Sequence, residues 1–384
     1  MPTLLHQLTV EDLAAAIDAG DDLTIVDTRQ PESFEAWHVP GAVNVPYHPI
    51  DGLGEDLDWD DVDEIAGGSR VAVICARGLS STSFGFELSD RGHDDVAVVK
   101  GGMEDWSKLY DVVEVDTDGG LFLAQVQRRA KGCLGYVVGD RDAGEAIAVD
   151  ATRQDHEFEL VAADAGLTIT GVVDTHVHAD HISGGRTLAE RLSVPYYLSA
   201  AATERDVAYE YEPLADGGTV TVGDVDVDII AAPGHTTEQM NLVVGEQYLL
   251  SADALFVESV GRTELEFGEG GAAHGAELLY ETLHETYAPL SDDVVVLPGH
   301  ISVDADGHFG VGHPGELVAA TLGELREGLE LFRLEKSAFV DRVTDRTTEK
   351  PPNYETVIDV NRGRRDLDED EATEVELGPN NCAV

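Results

Sequence analysis

The stretch Thr175-His176-Val177-His178-Ala179-Asp180-His181 places four metal-capable side chains within six positions, directly after the apolar run 167–173. In an extended segment His176 and His178 project to the same side, while Asp180 and His181 fall where the chain turns and can face a second position. Imidazole nitrogens and a carboxylate suit zinc or ferrous iron, and no cysteine stands nearby in sequence to add a thiolate. Three later strand-like runs deliver the same kind of residue. Run 225–232 leads to Pro233-Gly234-His235, run 248–250 to Ser251-Ala252-Asp253, and run 294–297 to Pro298-Gly299-His300. One histidine after Pro-Gly is ordinarily a surface residue. Four strand ends carrying ligands fit two packed sheets whose loops gather at one edge.

A second chemistry is set at Cys75, where the apolar run 71–74 passes into Ala76-Arg77-Gly78-Leu79-Ser80-Ser81 and a helix predicted over 81–90. A thiol there meets backbone N–H groups at a helix N-terminus, with Arg77 close by. Both favour the thiolate, and the same donors could hold a persulfide. The plainer alternative is an inert core cysteine that ends a strand.

These residues need two scaffolds. Thr9 can cap a helix over 10–19 that Gly20 stops, and 23–26 reads as a short buried strand. Apolar runs without alternation, interleaved with helices, predict a small parallel sheet covered on both faces. Function in such sheets sits at the C-terminal strand ends. A polar passage with turn signals marks a boundary, so the expected order is a first domain over 1–112, a linker over 113–120, a second domain over 121–363 and an acidic tail over 364–384. In the second domain strands are expected over 121–126, 134–138, 146–149, 167–173, 219–222, 225–232, 242–244, 248–250 and 294–297, with a helix around 155–165. The tail, mostly Asp and Glu, is expected to be solvated and mobile.

Charge narrows the partners. The 384 residues carry 76 acidic against 24 basic side chains, a formal net charge of −52. Such a chain repels nucleic acid and anionic membranes, so neither is an expected partner. Acidity spread along both halves resembles the proteins of salt-accumulating, halophilic archaea, where cations screen the self-repulsion. Recurring apolar segments argue against an acidic disordered chain. Cys75, Cys133 and Cys382 lie too far apart for a disulfide framework or zinc knuckle, and no run approaches the ~18 apolar residues of a membrane span. A cytoplasmic protein without a targeting segment is expected. Cys133 is expected in the core, Cys382 as inert, and a homo-oligomer is left open.

The pairing of Asp27-Thr28-Arg29…His38-Val39-Pro40-Gly41-Ala42 with the Cys75-to-Ser81 loop, closed by Gly101-Gly102-Met103…Trp106, resembles the rhodanese (sulfurtransferase) family over residues 5–112. The resemblance implies that Cys75 carries a sulfane sulfur, with Arg77 on the substrate side. Asp27 and Arg29 would be structural or electrostatic support, and His38 a packing residue. The His176–His181 motif with His235, Asp253 and His300 resembles the metallo-β-lactamase superfamily over about 119–362, implying an αββα sandwich. That ligand set is specific for fold and much less so for reaction.

Finer features resemble the superfamily's persulfide dioxygenase branch. Asp253 follows His235 by eighteen positions, Gly261-Arg262-Thr263 follows soon after, and the chain later reads Lys350-Pro351-Pro352-Asn353-Tyr354…Val360-Asn361-Arg362-Gly363. Glu264 where Asp is usual, Ser251-Ala252 where Thr-Gly is common and Ala151 where Pro is common are departures. The resemblance implies one Fe2+ per chain on His176, His235 and Asp253. His178, Asp180, His181 and His300 would serve as supporting residues, or as ligands of a second metal. Arg262 would pair with a substrate carboxylate or, equally, make a structural ion pair. The implied reaction is oxidation of a low-molecular-weight thiol persulfide by dioxygen to sulfite, coupled to sulfur transfer with sulfite or thiosulfate at Cys75. The alternatives are a thioester hydrolase of the hydroxyacylglutathione hydrolase type with two Zn2+, and a non-catalytic sulfur carrier with a structural metal.

Overall fold

The computed structural model describes residues 5–67, 70–268, 270–345 and 350–379, so Cys382 lies outside the described residues. Thr9 Oγ1 accepts from Asp12 N while the Asp12 carboxylate takes Thr9 N, a reciprocal cap that starts the helix Val10–Asp18. Five parallel strands follow the spatial order His6–Leu8, Val96–Val99, Arg70–Ile74, Leu23–Asp27, Ala42–Asn44. The unbroken apolar run in Arg70–Ile74 has a direct reason. Ala72 and Ile74 pack with Leu13, Met103 and Trp106 on one face, and Val71 and Val73 with Phe84 and Leu88 on the other.

The chain enters the second unit earlier than the expected linker. Tyr110–Glu114 pairs antiparallel with Leu121–Arg128, so the passage read as a boundary begins with an edge strand whose Glu114 suits an exposed rim. The sheet then runs, from the far edge, Glu212–Leu214, Tyr196–Ser199, Thr168–Val173, Glu145–Val149, Cys133–Asp140, Leu121–Arg128, Tyr110–Glu114. A second sheet has the order Thr219–Val222, Val225–Ala231, Met240–Val244, Tyr248–Ala252, Val295–Pro298, Ala320–Thr321. Their facing sides meet through Leu123, Tyr136, Val138 and Val149 on one and Val227, Ile229, Leu242 and Leu250 on the other. Helices His156–Asp164 and Gly185–Leu192 cover the outer face of the first sheet, and Ala272–Glu281 and Lys336–Asp345 that of the second. The result is the expected αββα sandwich behind an α/β unit, and no helix among the described residues is long and apolar enough to cross a membrane.

The tail differs from expectation. Asp368 caps the helix Glu369–Val375, and the Glu376 side chain beyond it is fully buried. Arg128 Nη1 reaches its Oε1 at 3.2 Å, Arg153 Nε its Oε2 at 3.0 Å, and Lys131 Nζ its carbonyl at 3.2 Å. Three cations that would otherwise be buried alone hold this acidic segment down. Leu377 packs against the core of the N-terminal unit. The two units also meet where Arg129 spans Asp18 and Asp111, and where His38 N donates to Ala305 O.

Candidate metal centre

Strand Thr168–Val173 ends at Asp174, and the motif that follows is pinned between the sheets. Met240 N donates to Thr175 O at 2.9 Å, and Val177 N to Glu238 Oε1 at 2.9 Å. Thr175 Oγ1 lies 2.9 Å from Asp150 Oδ2 and 2.9 Å from His176 Nδ1. The hydroxyl has one proton and the carboxylate can only accept it, so the oxygen takes the His176 Nδ1 proton and leaves Nε2 as the lone-pair nitrogen. His235 Nδ1 donates to the carbonyl of Arg262 at 2.7 Å, which fixes the same tautomer there. Asp253 Oδ1 takes His300 Nδ1 at 2.7 Å.

Three atoms then remain. His176 Nε2, His235 Nε2 and Asp253 Oδ2 are buried, have no hydrogen-bond partner and lie within 4.8 Å of one another. The Asp253 oxygen stands 4.0 Å from the first and 3.5 Å from the second. Leaving three polar atoms dry and unbonded in one place costs several kcal/mol, by the order of ~1–3 kcal/mol each. A metal ion satisfies all three, and the donor set of two imidazoles and a carboxylate suits ferrous iron or zinc. Burial, with His178 and His235 as neighbours, holds His176 neutral well below the ordinary histidine range, as a ligand requires.

The remaining motif residues turn elsewhere. His178 Nε2 faces Asp150 Oδ1 at 3.1 Å. Asp180 Oδ2 meets His181 Nδ1 at 2.9 Å and His300 Nε2 at 2.8 Å, so His300 bridges Asp180 and Asp253 with its two nitrogens. Burial opposes charge on His181, but Asp180 and Cys133 outweigh it and hold its imidazolium well above the usual range. Glycine is required at 261: a Cβ there would lie 1.9 Å from the Asp253 carbonyl oxygen. Ala252, by contrast, adopts φ 44°, the left-handed region that glycine would occupy without strain.

Arg262 is not presented to a cleft. Its guanidinium is completely buried and paired with Glu264, Nε to Oε1 at 2.6 Å. At Cys75, 3% exposed, Gly78 N donates to Sγ at 3.1 Å and Ser81 Oγ lies 3.3 Å away. Burial raises this thiol, but bonds from the Ser80 and Ser81 hydroxyls and from backbone N–H groups overcome it, leaving it below the ordinary cysteine value. Arg77 pairs with Glu104 at 2.9 Å and stays 60% exposed. Asp27 is buried under a forked bond from Arg29, and the His38 ring stacks on Phe34, so both support the loop architecture.

Residues 9–109 match the Rhodanese-like domain family and residues 129–300 the Metallo-beta-lactamase superfamily. A hydroxyacylglutathione hydrolase from Polaromonas sp. is 30% identical over 189 residues, covering 48% of this chain and 68% of that protein. The chain belongs to the metallo-beta-lactamase superfamily. Within this superfamily it is also similar to human Persulfide dioxygenase ETHE1, mitochondrial, 30% identical over 172 residues, 43% of this chain and 62% of the relative. The mouse protein of that name is 29% identical over 171 residues, with the same coverage. The chain thus spans less than two thirds of those relatives' length. Among solved structures, a metallo-beta-lactamase from Staphylococcus aureus aligns with TM-score 0.58 at 24% identity, covering 65% of this chain and 75% of that one. ETHE1 from Myxococcus xanthus aligns with TM-score 0.54 at 24% identity, covering 62% and 97%. These structures share the superfamily fold.

Several residues of this superfamily site escaped the sequence reading. Asp150 holds Thr175 and His178, although it ends a strand just as the recognised ligands do. Asn361 Nδ2 donates to the carbonyls of His178 and His181. Cys133, expected to be core, is buried but lies 3.5 Å from Asp180 Oδ2; burial raises its thiol, and His181 draws it down to about 7.

Proposed function

We propose that this protein oxidises a low-molecular-weight thiol persulfide to sulfite at one ferrous iron held by His176, His235 and Asp253, and that Cys75 exchanges sulfane sulfur in the same pathway of persulfide removal. The observation that carries the reading is the convergence of two imidazole nitrogens and one carboxylate oxygen, each buried without a partner. Ferrous iron held by His176, His235 and Asp253 would supply the activation of dioxygen toward a sulfur substrate, since three protein donors do not fill its coordination capacity. The overall reaction, RSSH + O2 + H2O → RSH + H2SO3, balances. Sulfite can then take the outer sulfur from a Cys75 persulfide, giving thiosulfate and the free Cys75 thiolate.

The chain's own groups have definite tasks in this reading. Thr175 and the Arg262 carbonyl orient the two ligand imidazoles, and His300 fixes Asp253 so that one oxygen is directed to the metal. The Cys75 loop presents N–H and hydroxyl donors that stabilise a thiolate or persulfide anion. The similarity to persulfide dioxygenases supports the choice of reaction within the superfamily. Reconstitution with ferrous iron and a small persulfide should give oxygen uptake and sulfite in equal amounts. A protein that holds iron and consumes no oxygen refutes the reading. Cys75→Ser should keep oxygen uptake and lose sulfur transfer, which separates this reading from a sulfur carrier.

A second reading is a two-zinc thioester hydrolase. It rests on a second buried group, Cys133, Asp180, His181 and His300, beside the first, and on the similarity to hydroxyacylglutathione hydrolases. Turnover of an acyl thioester by the zinc-loaded protein would favour it.

A further inference from the structure

Residues 369–378 lie outside both family matches, 9–109 and 129–300, in the stretch where a solvated tail is expected. Their far end instead reaches the Cys75 loop. A cavity of about 390 Å³ opens there, walled by Ala76 and Arg77, the two residues after Cys75, by Ala36, Trp37 and Met103 of the same unit, and by Leu377 of the C-terminal segment. The last wall is held from both sides. Before Leu377, the Glu376 carboxylate is paired with Arg128 and Arg153 and its carbonyl accepts from Lys131 Nζ. After it, Gly378 turns at φ 91° against Trp37, where a Cβ would lie 3.5 Å from the indole Cδ1. The arginines at the cavity are already engaged: Arg29 by a forked bond to Asp27 and by the Trp37 carbonyl, Arg77 by Glu104. What remains is a mostly apolar slot and not an anion clamp. Its volume is in the range of ~300–1,000 Å³ that sites for small organic molecules span, far more than an inorganic ion such as thiosulfate fills.

We propose that this cavity seats the organic group of a low-molecular-weight thiol persulfide while its outer sulfur passes to Cys75, and that Leu377 is a specificity-determining contact supplied from the opposite end of the chain. The proposal rests on the reading that Cys75 exchanges sulfane sulfur. In the step, the Cys75 thiolate attacks the outer sulfur of RSSH. A new S–S bond forms at Cys75, the RS–S bond breaks, and the leaving sulfur takes the persulfide proton. Cys75-S⁻ and RSSH thus give Cys75-SS⁻ and RSH, with no outside oxidant or reductant. Trp37, Met103 and Leu377 take the organic group out of water, a gain that only a donor with an organic group can realise. The cavity therefore selects organic persulfide over thiosulfate as the source of sulfur.

The test follows sulfur loading of Cys75 in the full chain, kept free of oxygen, with 2-mercaptoethanol persulfide or thiosulfate as donor. Peptide mass spectrometry reads the sulfur added at Cys75. Loading efficiency from the organic persulfide should exceed that from thiosulfate by roughly tenfold or more. Leu377→Ala opens the wall, and Ala36→Phe fills the cavity from an exposed position. Each should lower the organic-to-thiosulfate ratio about tenfold, the order that a few methylene contacts confer, through a raised half-saturating concentration of the persulfide. Leu377→Met, which refills the wall, should recover the ratio. Ala36→Phe decides the matter if Leu377→Ala does not fold. A ratio that the variants leave unchanged, or a wild type that prefers thiosulfate, overturns the proposal while sulfane transfer at Cys75 stands. Loading from neither donor overturns the underlying reading and the proposal with it.

Discussion

Glu376 Oε1 accepts the backbone N–H of Ile182 at 2.8 Å, joining the acidic C-terminal segment to the residue directly after His181. The same carboxylate is held by Arg128 and Arg153. The segment is therefore part of what fixes the histidine loop.

This relationship predicts a pH-dependent contribution to stability. Burial raises Glu376, but Arg128, Arg153 and Lys131 overcome it and hold the carboxyl at about 2, against an ordinary 4.5. A depressed acid stabilises the fold fully above its unfolded value and loses that effect as pH falls toward its folded value. Glu376→Gln should cost on the order of 3 kcal/mol at pH 7. The gap between wild type and variant should close as pH falls from about 5 toward 2. Urea unfolding in concentrated salt at stepped pH measures it, and a gap independent of pH contradicts the assignment.

The Cys75 loop predicts a reactive thiol. Ser81→Ala removes a hydroxyl 3.3 Å from Sγ, so the thiol should titrate higher and alkylate severalfold more slowly near neutrality. Iodoacetamide kinetics against pH, followed by mass spectrometry at Cys75, report this directly. An unchanged profile would mean that Ser80 and the backbone donors hold the thiolate without the Ser81 hydroxyl.

At Gly261 a methyl group has nowhere to go, since the obstacle is backbone. Gly261→Ala should destabilise the protein by roughly 1–3 kcal/mol and displace Asp253. Metal analysis after gel filtration should show lowered occupancy together with a lowered melting temperature.

The site was legible because four apolar runs stop at metal-capable residues, His235 and His300 among them, where one alone would carry little signal. Asp150 ends the run through Val149 in the same way, yet in a chain with 76 acidic residues one more aspartate carries little signal. Glu376 is harder still. Its partners Arg128 and Arg153 lie 248 and 223 positions away, so only the folded chain shows that one glutamate among many is dry. Cys133 follows the pattern of its strand neighbours in sequence, whereas its thiol is lowered, against burial, by His181, which only folding brings beside it. At Arg262 the motif left a substrate contact and a structural ion pair equally open, and the fold shows the bond to Glu264, two positions on.

Thr175 gives the sharpest test of how the first site is oriented. Its hydroxyl proton goes to Asp150, which obliges the oxygen to accept from His176 Nδ1. Thr175→Val keeps the shape and removes both bonds, so His176 is free to place its proton on Nε2, the atom directed at the metal. Iron affinity should fall about 10–100-fold, while overall folding changes by only about 1–2 kcal/mol. Competition with a chromogenic chelator measures the affinity, and circular dichroism checks the fold. Thr175→Ser, which restores the hydroxyl, should recover most of the affinity. Tight iron binding in the valine variant would show that the sheet packing around Thr175, and not this proton, sets the His176 ring.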